Sequence, residues 1–452
     1  MTQRRKQQLI YVLFDLLASV FVWVLFLAFR WAMLEGRVFG VDTVLIPAFN
    51  FYRALILYPI SCLIIYYLSG FYLRPFEYNL WKDFSVTFVS AIIISFGAFF
   101  IIIIDDNVAN YEQYYLSLTV LFVLQLTISF IPRLLISIVT RYRIKKGNLT
   151  LNTVVVGTKK AYTTLKEELK DKNIVTYLLP NKVTDLKKVK QKYSIEEVII
   201  ALPDNTSQEV LFGLISNIYP YNVRISFPAN VYDMLTGAAR IHSLTDNPLV
   251  TITDYNMSDS QICIKRAFDM FFSALCLILF APLFVILSIC VKVDSKGPII
   301  YRQKRIGLYG RPFDILKFRT MYQDAEKNKP MLSVPDDPRV TKVGKWLRKY
   351  RLDELPQLWN VLCGDMSIVG PRPERKFYID KIVEKAPYYC LLYKIRPGLT
   401  SWGPIRVGYT DTLQKMIQRL NYDIVYMENM SLLLDLKIMI FTIKVIFDGK
   451  GQ

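Results

Sequence analysis

The hydrophobic positions of this chain change their pattern twice along its length. The first third contains unbroken apolar runs at residues 9–33, 48–71, 84–104 and 114–139. Because a helix of about 20 apolar residues is long enough to cross the core of a bilayer, each run predicts a membrane-spanning helix. We therefore expect a bundle of four transmembrane helices in residues 1–146.

Basic residues flank this bundle unevenly. Arg4, Arg5 and Lys6 precede the first run, Arg141 and Arg143 follow the fourth, and the loop DDNVANYEQ after the third run has no basic residue. Since cytoplasmic loops carry the excess of Lys and Arg, both ends of the bundle are predicted to face the cytoplasm. The first run is too long for a signal peptide and lacks a small-residue cleavage site, so we interpret it as an anchor.

The fourth run contains an arginine, Arg133, beside Pro132. An ionised side chain at membrane depth often marks a functional site. Arg133 is close to the cytoplasmic end of its run, however, where a long side chain can reach water by snorkelling. Both interpretations stay open, and we favour snorkelling.

The middle of the chain alternates short apolar runs with polar helical stretches. The short runs cover residues 154–156, 174–179, 198–202 and 223–227. This alternation predicts a Rossmann-like module with a parallel sheet in residues 147–260. Dinucleotide binding is weakly supported, because VVVGTKKAYTTL keeps only Gly157 of a GxGxxG pattern and places Lys159 and Lys160 where small residues are needed. A regulatory or assembly role fits the module better.

A further apolar run, residues 268–291, is flanked by basic residues on both sides. Lys265 and Arg266 precede it, and Lys292 and Lys296 follow it. Pro282 lies near its middle, where proline removes a backbone donor and bends or breaks a helix. Both features predict a re-entrant helix over about 266–292 that enters and leaves on the cytoplasmic side. The alternative is a kinked helix that crosses the membrane completely.

Composition and charge agree with a membrane protein. The chain has 452 residues, of which 53% are hydrophobic, and a formal net charge of +18. Such a charge indicates anionic partners, meaning lipid headgroups, nucleotides or nucleic acid, and the long apolar runs make nucleic acid the weakest of these. The six cysteines show no CxxC spacing, so neither a zinc site nor a disulfide framework is indicated.

The last part of the chain, residues 261–452, concentrates the candidate chemistry. The only histidine is His242, so acid–base or nucleophilic chemistry falls to carboxylates, and Asp353 and Glu354 form an adjacent pair among arginines. An isolated pair of this kind is usually a surface salt-bridge cluster. Here it shares short loops with cations suited to gripping a diphosphate. These cations are Lys317, Arg319, Arg339, Arg348, Arg351, Arg372 and Arg396.

The C-terminal stretch 432–447 is apolar apart from a few polar residues. Lys437 and Lys444 are seven residues apart and share one helix face. The segment is therefore predicted either to lie in the membrane interface or to form a buried core helix. The pattern does not favour one over the other.

Several motifs in this last part together resemble one family. They are KRAFD (265–269), KFRTM (317–321), DPRVT (337–341), LDELPQ (352–357) and GDMSIVGPRP (364–373). With the bent helix, they resemble the bacterial sugar transferases, the monotopic polyprenyl-phosphate phosphoglycosyltransferases. The preceding bundle and α/β module resemble the long-form members of that family. The fold implied is a membrane protein with a helical bundle, an α/β module, a re-entrant helix and a small, mostly helical catalytic domain.

The resemblance implies a two-step reaction at the cytoplasmic face of the bacterial inner membrane. Asp353 would attack the β-phosphorus of a UDP-sugar and expel UMP, and Glu354 would assist the attack of undecaprenyl phosphate on the resulting phosphosugar intermediate. Mg²⁺ is the implied cofactor, with Asp353 as its contact, and Gln357 joins the cations above as a substrate-binding residue. The reaction would start a repeat unit of a capsule, O-antigen or exopolysaccharide.

One segment departs from the family pattern. Members often read RPGxTGxxQ, whereas this chain reads RPGLTSWGP, with Ser401 and Pro404 at the changed positions. The identity of the donor sugar is therefore least certain at this segment. The extra membrane bundle is compatible with a homodimer.

Two other functions compete with this one. A membrane-anchored nucleotide sensor or scaffold of polysaccharide assembly would keep its function when Asp353 loses its charge. A membrane oxidoreductase would need tight dinucleotide binding, against which the incomplete glycine motif counts.

Overall fold

The computed structural model describes residues 3–30, 49–73, 80–100, 111–145, 152–169, 173–193, 195–203, 206–228, 249–251, 257–323, 337–408 and 412–447. His242 and most of the loop DDNVANYEQ lie outside these residues. The chain divides into two compact units. One comprises residues 1–150 with 258–264, and the other comprises residues 151–257 with 265–452.

Helices account for most of the described chain. They are α1 (Gln3–Arg30), α2 (Phe49–Leu68), α3 (Leu80–Ala98), α4 (Tyr111–Lys145), α5 (Lys159–Glu168), α6 (Leu186–Tyr193), α7 (Gln208–Ile218), α8 (Asp259–Leu279), α9 (Ala281–Asp294), α10 (Lys342–Lys349), α11 (Gln357–Cys363), α12 (Lys376–Val383), α13 (Trp402–Val407), α14 (Leu413–Glu428) and α15 (Leu432–Phe447).

The strands are short. They are β1 (Asn152–Gly157), β2 (Asn173–Leu178), β3 (Ile195–Ala201), β4 (Arg224–Pro228), β5 (Leu249–Thr251), β6 (Ile300–Ile306), β7 (Pro312–Phe318), β8 (Ser367–Val369) and β9 (Gly398–Thr400).

Each of the first four apolar runs forms a helix. Two of these helices, over Arg5–Arg30 and Tyr114–Arg143, are long and apolar enough to cross a membrane, and the apolar stretches Leu55–Leu68 and Asp83–Ala98 are shorter. The helices present large apolar side chains outward, among them Leu13, Phe21 and Ile93. An apolar exterior of this kind suits lipid rather than water. The protein is membrane-associated, and four complete crossings stay a prediction.

Arg133 does not snorkel, and that prediction is wrong. Its side chain is only 1% exposed, and its Nε and Nη2 each donate to a carboxylate oxygen of Asp15, both at 2.8 Å. Nη1 donates to Thr87 at 2.9 Å, and Tyr72 donates to Asp15 at 2.7 Å. A buried guanidinium needs a charged partner and satisfied donors. The spacing of residues within one run could not reveal that Asp15, on another helix, supplies them.

The predicted parallel sheet is present in the middle of the chain. Its strand order is β2-β1-β3-β4-β5, and β1 to β4 run parallel while β5 pairs antiparallel with β4. The sequence pattern missed β5, which is only three residues long. A side chain at Gly157 would lie 2.2 Å from the backbone oxygen of Ala201. Close packing of β1 against β3 therefore explains this glycine without a nucleotide.

The α/β module shares its hydrophobic core with the C-terminal part. Helix α7 contributes Leu214, Ile215 and Ile218, and the 3-10 helix Pro387–Lys394 contributes buried aromatic residues to the same cluster. The rings of Tyr219 and Tyr393 meet edge to face with their centroids 6.3 Å apart. Because burying apolar surface drives association of protein parts, the module is packed onto the C-terminal part rather than tethered to it.

The later apolar run forms two helices that meet at a sharp bend. Helices α8 and α9 are inclined by 64°, and Phe280 separates them with non-helical backbone angles. Pro282 occupies the first turn of α9, where its missing N–H has no helical acceptor to lose. The predicted break is confirmed one residue before Ala281. A bend of this size fits either a broken span or a re-entrant helix.

Candidate active site

A tight reversal of the backbone positions the carboxylate pair. Helix α10 starts at Thr341, whose hydroxyl accepts from the backbone N–H of Gly344 at 3.0 Å. After α10, Arg351 adopts the left-handed region with φ of 54°, a conformation that is uncommon for a residue with a side chain. The chain then forms a single 3-10 turn, Leu352–Glu354, so that Asp353 and Glu354 lie between two helices.

The apolar neighbours of the pair anchor it against the bent membrane helix. Leu352 and Leu355 pack on a buried cluster that includes Leu287 and Val291 of α9. Alternation of leucine with carboxylate in LDEL therefore places the leucines in this cluster. It places Asp353 and Glu354 immediately beside the second half of the bent helix.

Three cations converge on Glu354. Its Oε1 accepts from Lys317 Nζ at 2.7 Å and lies 3.5 Å from Arg372 Nη2, while its Oε2 lies 3.7 Å from Arg351 Nη1. Lys317 comes from β7, Arg351 from the reversal and Arg372 from the GPRP turn. The three cations were predicted as substrate-binding residues from the sequence, and the fold brings them together around one carboxylate.

Asp353 and Glu354 are both buried, but their surroundings act on them in opposite directions. Burial raises the pKa of Asp353, and the neighbouring Glu354 charge adds to this, against the opposing effect of Lys317. Burial alone would also raise the pKa of Glu354, but Lys317, Arg372 and Arg351 outweigh it and hold that pKa well below its usual range. Two adjacent carboxyls whose pKa values are driven apart are typical of sites that assign them different roles.

Two cavities adjoin the pair and share Arg372 and Gly398. The first is also lined by Lys317, Glu354 and Gln357, and the second by Arg351, Ser401 and Thr442. The side chain of Gln357 is 2% exposed, and its Nε2 has no hydrogen-bond partner within the described ranges. A buried donor without a partner is unfavourable unless a ligand or water completes it. This donor therefore supports the predicted substrate-binding role of Gln357.

The remaining predicted cations have local protein partners. Arg348 Nε donates to Thr320 Oγ1 at 2.9 Å, Arg339 pairs with Asp337, and Arg396 Nε donates to the backbone of Gly364 at 3.0 Å. Arg319 Nη2 donates to the backbone oxygens of Val291 and Ser295 at the end of α9. None of these four lines either cavity, although Arg348 acts electrostatically on Asp353. Their substrate-binding role stays a prediction.

The KRAFD motif holds the membrane helix to the carboxylate region. Lys265 Nζ donates to Asp435 at 2.6 Å and to the backbone of Val369 at 2.9 Å, and Arg266 donates to two carbonyls at the end of α11. Asp269 accepts from Ser367 and from the backbone N–H of Ile368. These residues were interpreted only as topogenic charge and as a motif. Their contacts give them a structural role that spacing could not reveal.

Sequence reasoning also missed a second layer of charge behind Arg372. Glu374 is 5% exposed and forms ion pairs with Arg305, at 3.0 Å, and with Arg419. Burial would raise the pKa of Glu374, but Arg419 and Arg305 hold it below its usual range. The members come from β6, the GPRP turn and α14, so no local pattern connects them.

The donor set near Asp353 fits Mg²⁺ better than a metal with an all-protein cage. Within the described part of the chain, no group of three or more His, Cys, Asp or Glu side chains is arranged to hold an ion. Mg²⁺ is often bound by one or two carboxylates together with substrate phosphates and water. The carboxylate of Asp353 accepts no hydrogen bond from a described residue, so it is available as such a ligand.

Comparisons with known proteins place the chain in a family. Residues 260–449 match the family model described as bacterial sugar transferase. The chain is 44% identical to a UDP-glucose:undecaprenyl-phosphate glucose-1-phosphate transferase of Caulobacter vibrioides, over 40% of this chain and 68% of that protein. The protein belongs to the bacterial sugar transferase family.

Two further relatives differ in the sugar that their names carry. The chain is 35% identical to a UDP-glucose:undecaprenyl-phosphate glucose-1-phosphate transferase of Klebsiella pneumoniae, over 59% of this chain and 57% of that protein. It is 37% identical to a UDP-N-acetylgalactosamine-undecaprenyl-phosphate N-acetylgalactosaminephosphotransferase of Aeromonas hydrophila, over 49% of this chain and 52% of that protein. The matched regions thus span about half the length of these two proteins.

Proposed function

We propose that this protein transfers a sugar 1-phosphate from a UDP-sugar to undecaprenyl phosphate and releases UMP, so that it starts a lipid-linked glycan. The observation that carries the proposal is the buried Asp353–Glu354 pair, surrounded by Lys317, Arg351 and Arg372 and packed beside a bent apolar helix. The names of its relatives support the same reaction class. The class of the acceptor follows from these names and from the apolar helix.

In the first step, a carboxylate oxygen of Asp353 attacks the β-phosphorus of the UDP-sugar. A bond forms between this oxygen and phosphorus, the bond between the β-phosphorus and the bridging oxygen breaks, and UMP leaves with that oxygen. The product is a phosphosugar ester of Asp353. Lys317 and Arg372 reduce the repulsion between an anionic nucleophile and an anionic diphosphate. A covalent intermediate divides one difficult displacement into two easier ones.

In the second step, a phosphate oxygen of undecaprenyl phosphate attacks the same phosphorus and releases the Asp353 carboxylate. The depressed pKa of Glu354, caused by its cations, makes it a weak base. Its three ion pairs suit it instead to holding Lys317, Arg351 and Arg372 around the phosphoryl group. We assign Glu354 this organising role in both steps, in addition to the expected assistance to the lipid phosphate.

Mg²⁺ is proposed as the cofactor. Asp353 would hold it together with the oxygens of the bound diphosphate, in keeping with the few protein ligands that this ion requires. When bound, it would neutralise charge on the diphosphate and make the phosphorus more electrophilic.

The proposed membrane arrangement brings both substrates to one place. The bent pair α8–α9 would enter and leave the inner membrane on its cytoplasmic side, beneath the carboxylates, and α1–α4 would cross it. On α15, Leu433, Ile440 and Phe441 are more than half exposed while Asp435 is buried. This distribution favours a helix that lies in the membrane interface over a buried core helix. Homodimer formation stays a prediction.

Mass spectrometry can test the covalent step directly. The purified protein is incubated with a UDP-sugar and Mg²⁺ but without lipid, and its peptides are then mapped. We expect an adduct of the mass of the sugar phosphate on the peptide that carries Asp353, and none in the Asp353→Asn variant. Turnover by that variant would contradict the two-step route and favour a scaffold that contributes no nucleophile.

The donor sugar is identified by a panel of UDP-sugars. UMP release is measured for UDP-glucose, UDP-galactose and their N-acetylated counterparts, with undecaprenyl phosphate present. The two sugars named in the relatives make UDP-glucose and UDP-N-acetylgalactosamine the first candidates. No release with any of them would contradict the proposed activity.

Cysteine labelling tests the re-entrant arrangement. In a variant without the six native cysteines, single cysteines replace Ser258, before α8, and Lys296, after α9. A membrane-impermeant reagent should label both positions only from the cytoplasmic side. Labelling of the two positions from opposite sides would identify a complete span.

A further inference from the structure

Behind the two cavities, the carboxylate of Asp423 on α14 holds two loops together. Asp423 is 2% exposed, and its Oδ1 accepts from Ser401 Oγ and, at 3.3 Å, from the backbone N–H of Gly403. Its Oδ2 accepts from the backbone N–H of Arg372 at 3.4 Å. Every group that bonds to this carboxylate is therefore a donor.

Each of the two loops that Asp423 connects contributes to the site. Arg372 belongs to the GPRP turn and lines both cavities, while Ser401 belongs to the RPGLTSWGP segment and lines the second. Asp423 itself lines neither. A side chain at Gly403 would lie 2.3 Å from Arg419 Cγ and 3.0 Å from Asp423 Oδ1. The segment therefore packs directly on α14 and has little room to shift.

We propose that Asp423 is a positioning residue for Arg372: by bonding the GPRP turn and the Ser401–Gly403 segment at once, it directs the Arg372 guanidinium toward Glu354 and the phosphoryl group. This inference rests on the proposed function, in which Arg372 contacts phosphate. Arg419, one turn before Asp423 on α14, pairs with Glu374, so the same helix also fixes the residue two positions after Arg372. The side chain and the backbone of this turn are thus held from one helix.

The environment of Asp423 favours positioning over simple stabilisation. Burial raises the pKa of Asp423 to about 6, despite the opposing charge of Arg419 and its three hydrogen bonds. Arg419 on its own helix, Tyr426 one turn later, Tyr389 of the 3-10 helix and Arg372 of the turn surround it. Because the folded-state pKa exceeds the unfolded value, ionised Asp423 disfavours folding at neutral pH, and this penalty disappears as the pH falls below about 6.

Asp423→Asn separates the two roles. The amide can still accept from one side, but its NH₂ group then faces a donor, so at least one loop is released. We expect kcat/KM for UMP release to fall by about 10- to 100-fold, the effect of a small displacement of a phosphate ligand. The melting temperature at pH 7.5 should equal or exceed that of the unaltered protein. Asp380→Asn, which changes an exposed carboxylate on α12, should leave both quantities unchanged.

A double-mutant cycle gives the decisive measurement. Arg372→Lys keeps the charge but loses the planar guanidinium. If Asp423 acts through Arg372, the double variant should be no less active than the weaker single variant, since residues that act as a unit are not additive. Multiplied losses would overturn the inference, as would an active Asp423→Asn variant or a loss that follows a lowered melting temperature. Absence of UMP release by the unaltered protein would overturn the proposed function and this inference with it.

Discussion

Two buried charge clusters of this protein have similar chemistry but opposite degrees of completion. In the helical bundle, Asp15 receives both nitrogens of a bidentate contact from Arg133 and the hydroxyl of Tyr72. The guanidinium also lies 3.8 Å from the ring centroid of Tyr66 and 4.0 Å from that of Phe71. All of its nitrogens therefore have partners, and this cluster is closed.

The cluster around Asp353 and Glu354 is open by comparison. Three cations share Glu354 at 2.7 to 3.7 Å, Gln357 Nε2 has no partner among the described residues, and two cavities adjoin the cations. Unsatisfied buried groups are unfavourable unless something binds to them. The comparison teaches that a completed ion pair serves the fold, whereas an uncompleted one beside a cavity indicates a ligand.

Removing the charge of Asp353 should have the largest effect on activity. We expect Asp353→Asn to lower UMP release by about a thousandfold or more, because the nucleophile is lost. Its melting temperature should be unchanged or higher, since the raised pKa means that the ionised form disfavours folding at neutral pH. A variant that unfolds instead would place Asp353 with the closed cluster.

Opening the closed cluster should damage the fold instead of the chemistry. Asp15→Asn leaves Arg133 buried without its counter-ion, and we expect a loss of about 3–5 kcal/mol of stability. Thermal unfolding in detergent measures it. Replacing both residues by leucine should recover most of the loss, and the folded fraction of either variant should keep its rate of UMP release.

Lys317 tests the role of cations in the open cluster. Lys317→Met removes the shortest ion pair of Glu354, and we expect a loss of about 100-fold in kcat, the usual effect of removing one stabilising donor. Lys385→Met, which changes an exposed lysine, is the matched control. Equal activity of the two variants would remove Lys317 from the proposed site.

The smallest effect is expected from pH. Asp353 must be ionised to attack, and burial raises its pKa, so the rate of UMP release should fall as the pH drops below neutrality, earlier than for an ordinary aspartate. Lys317→Met removes a cation that favours ionisation and should move the fall to higher pH. A profile that is the same in both proteins would show that another group controls it.

The segmental pattern of the fold could be predicted from the sequence. The four apolar runs, the strands β1 to β4 and the break near Pro282 depend on local periodicity and on proline, and each was found close to its predicted place. The exceptions were the short strand β5 and the partner of Arg133. Both depend on residues distant in the chain, to which a local pattern is insensitive.

The sequence by itself determined which residue types were available to the site, because LDELPQ and the basic motifs are local strings whose resemblance to the bacterial sugar transferases is specific. The tertiary structure decided which cations reach the carboxylates: Lys317, Arg351 and Arg372 converge on Glu354, while Arg319, Arg339 and Arg396 bond to nearby protein groups. It also brought Arg305, Glu374, Arg419 and Asp423 behind the site. The physical reason is that electrostatic interactions and desolvation act over a few ångströms in space, and the chain separates these residues by up to more than a hundred positions.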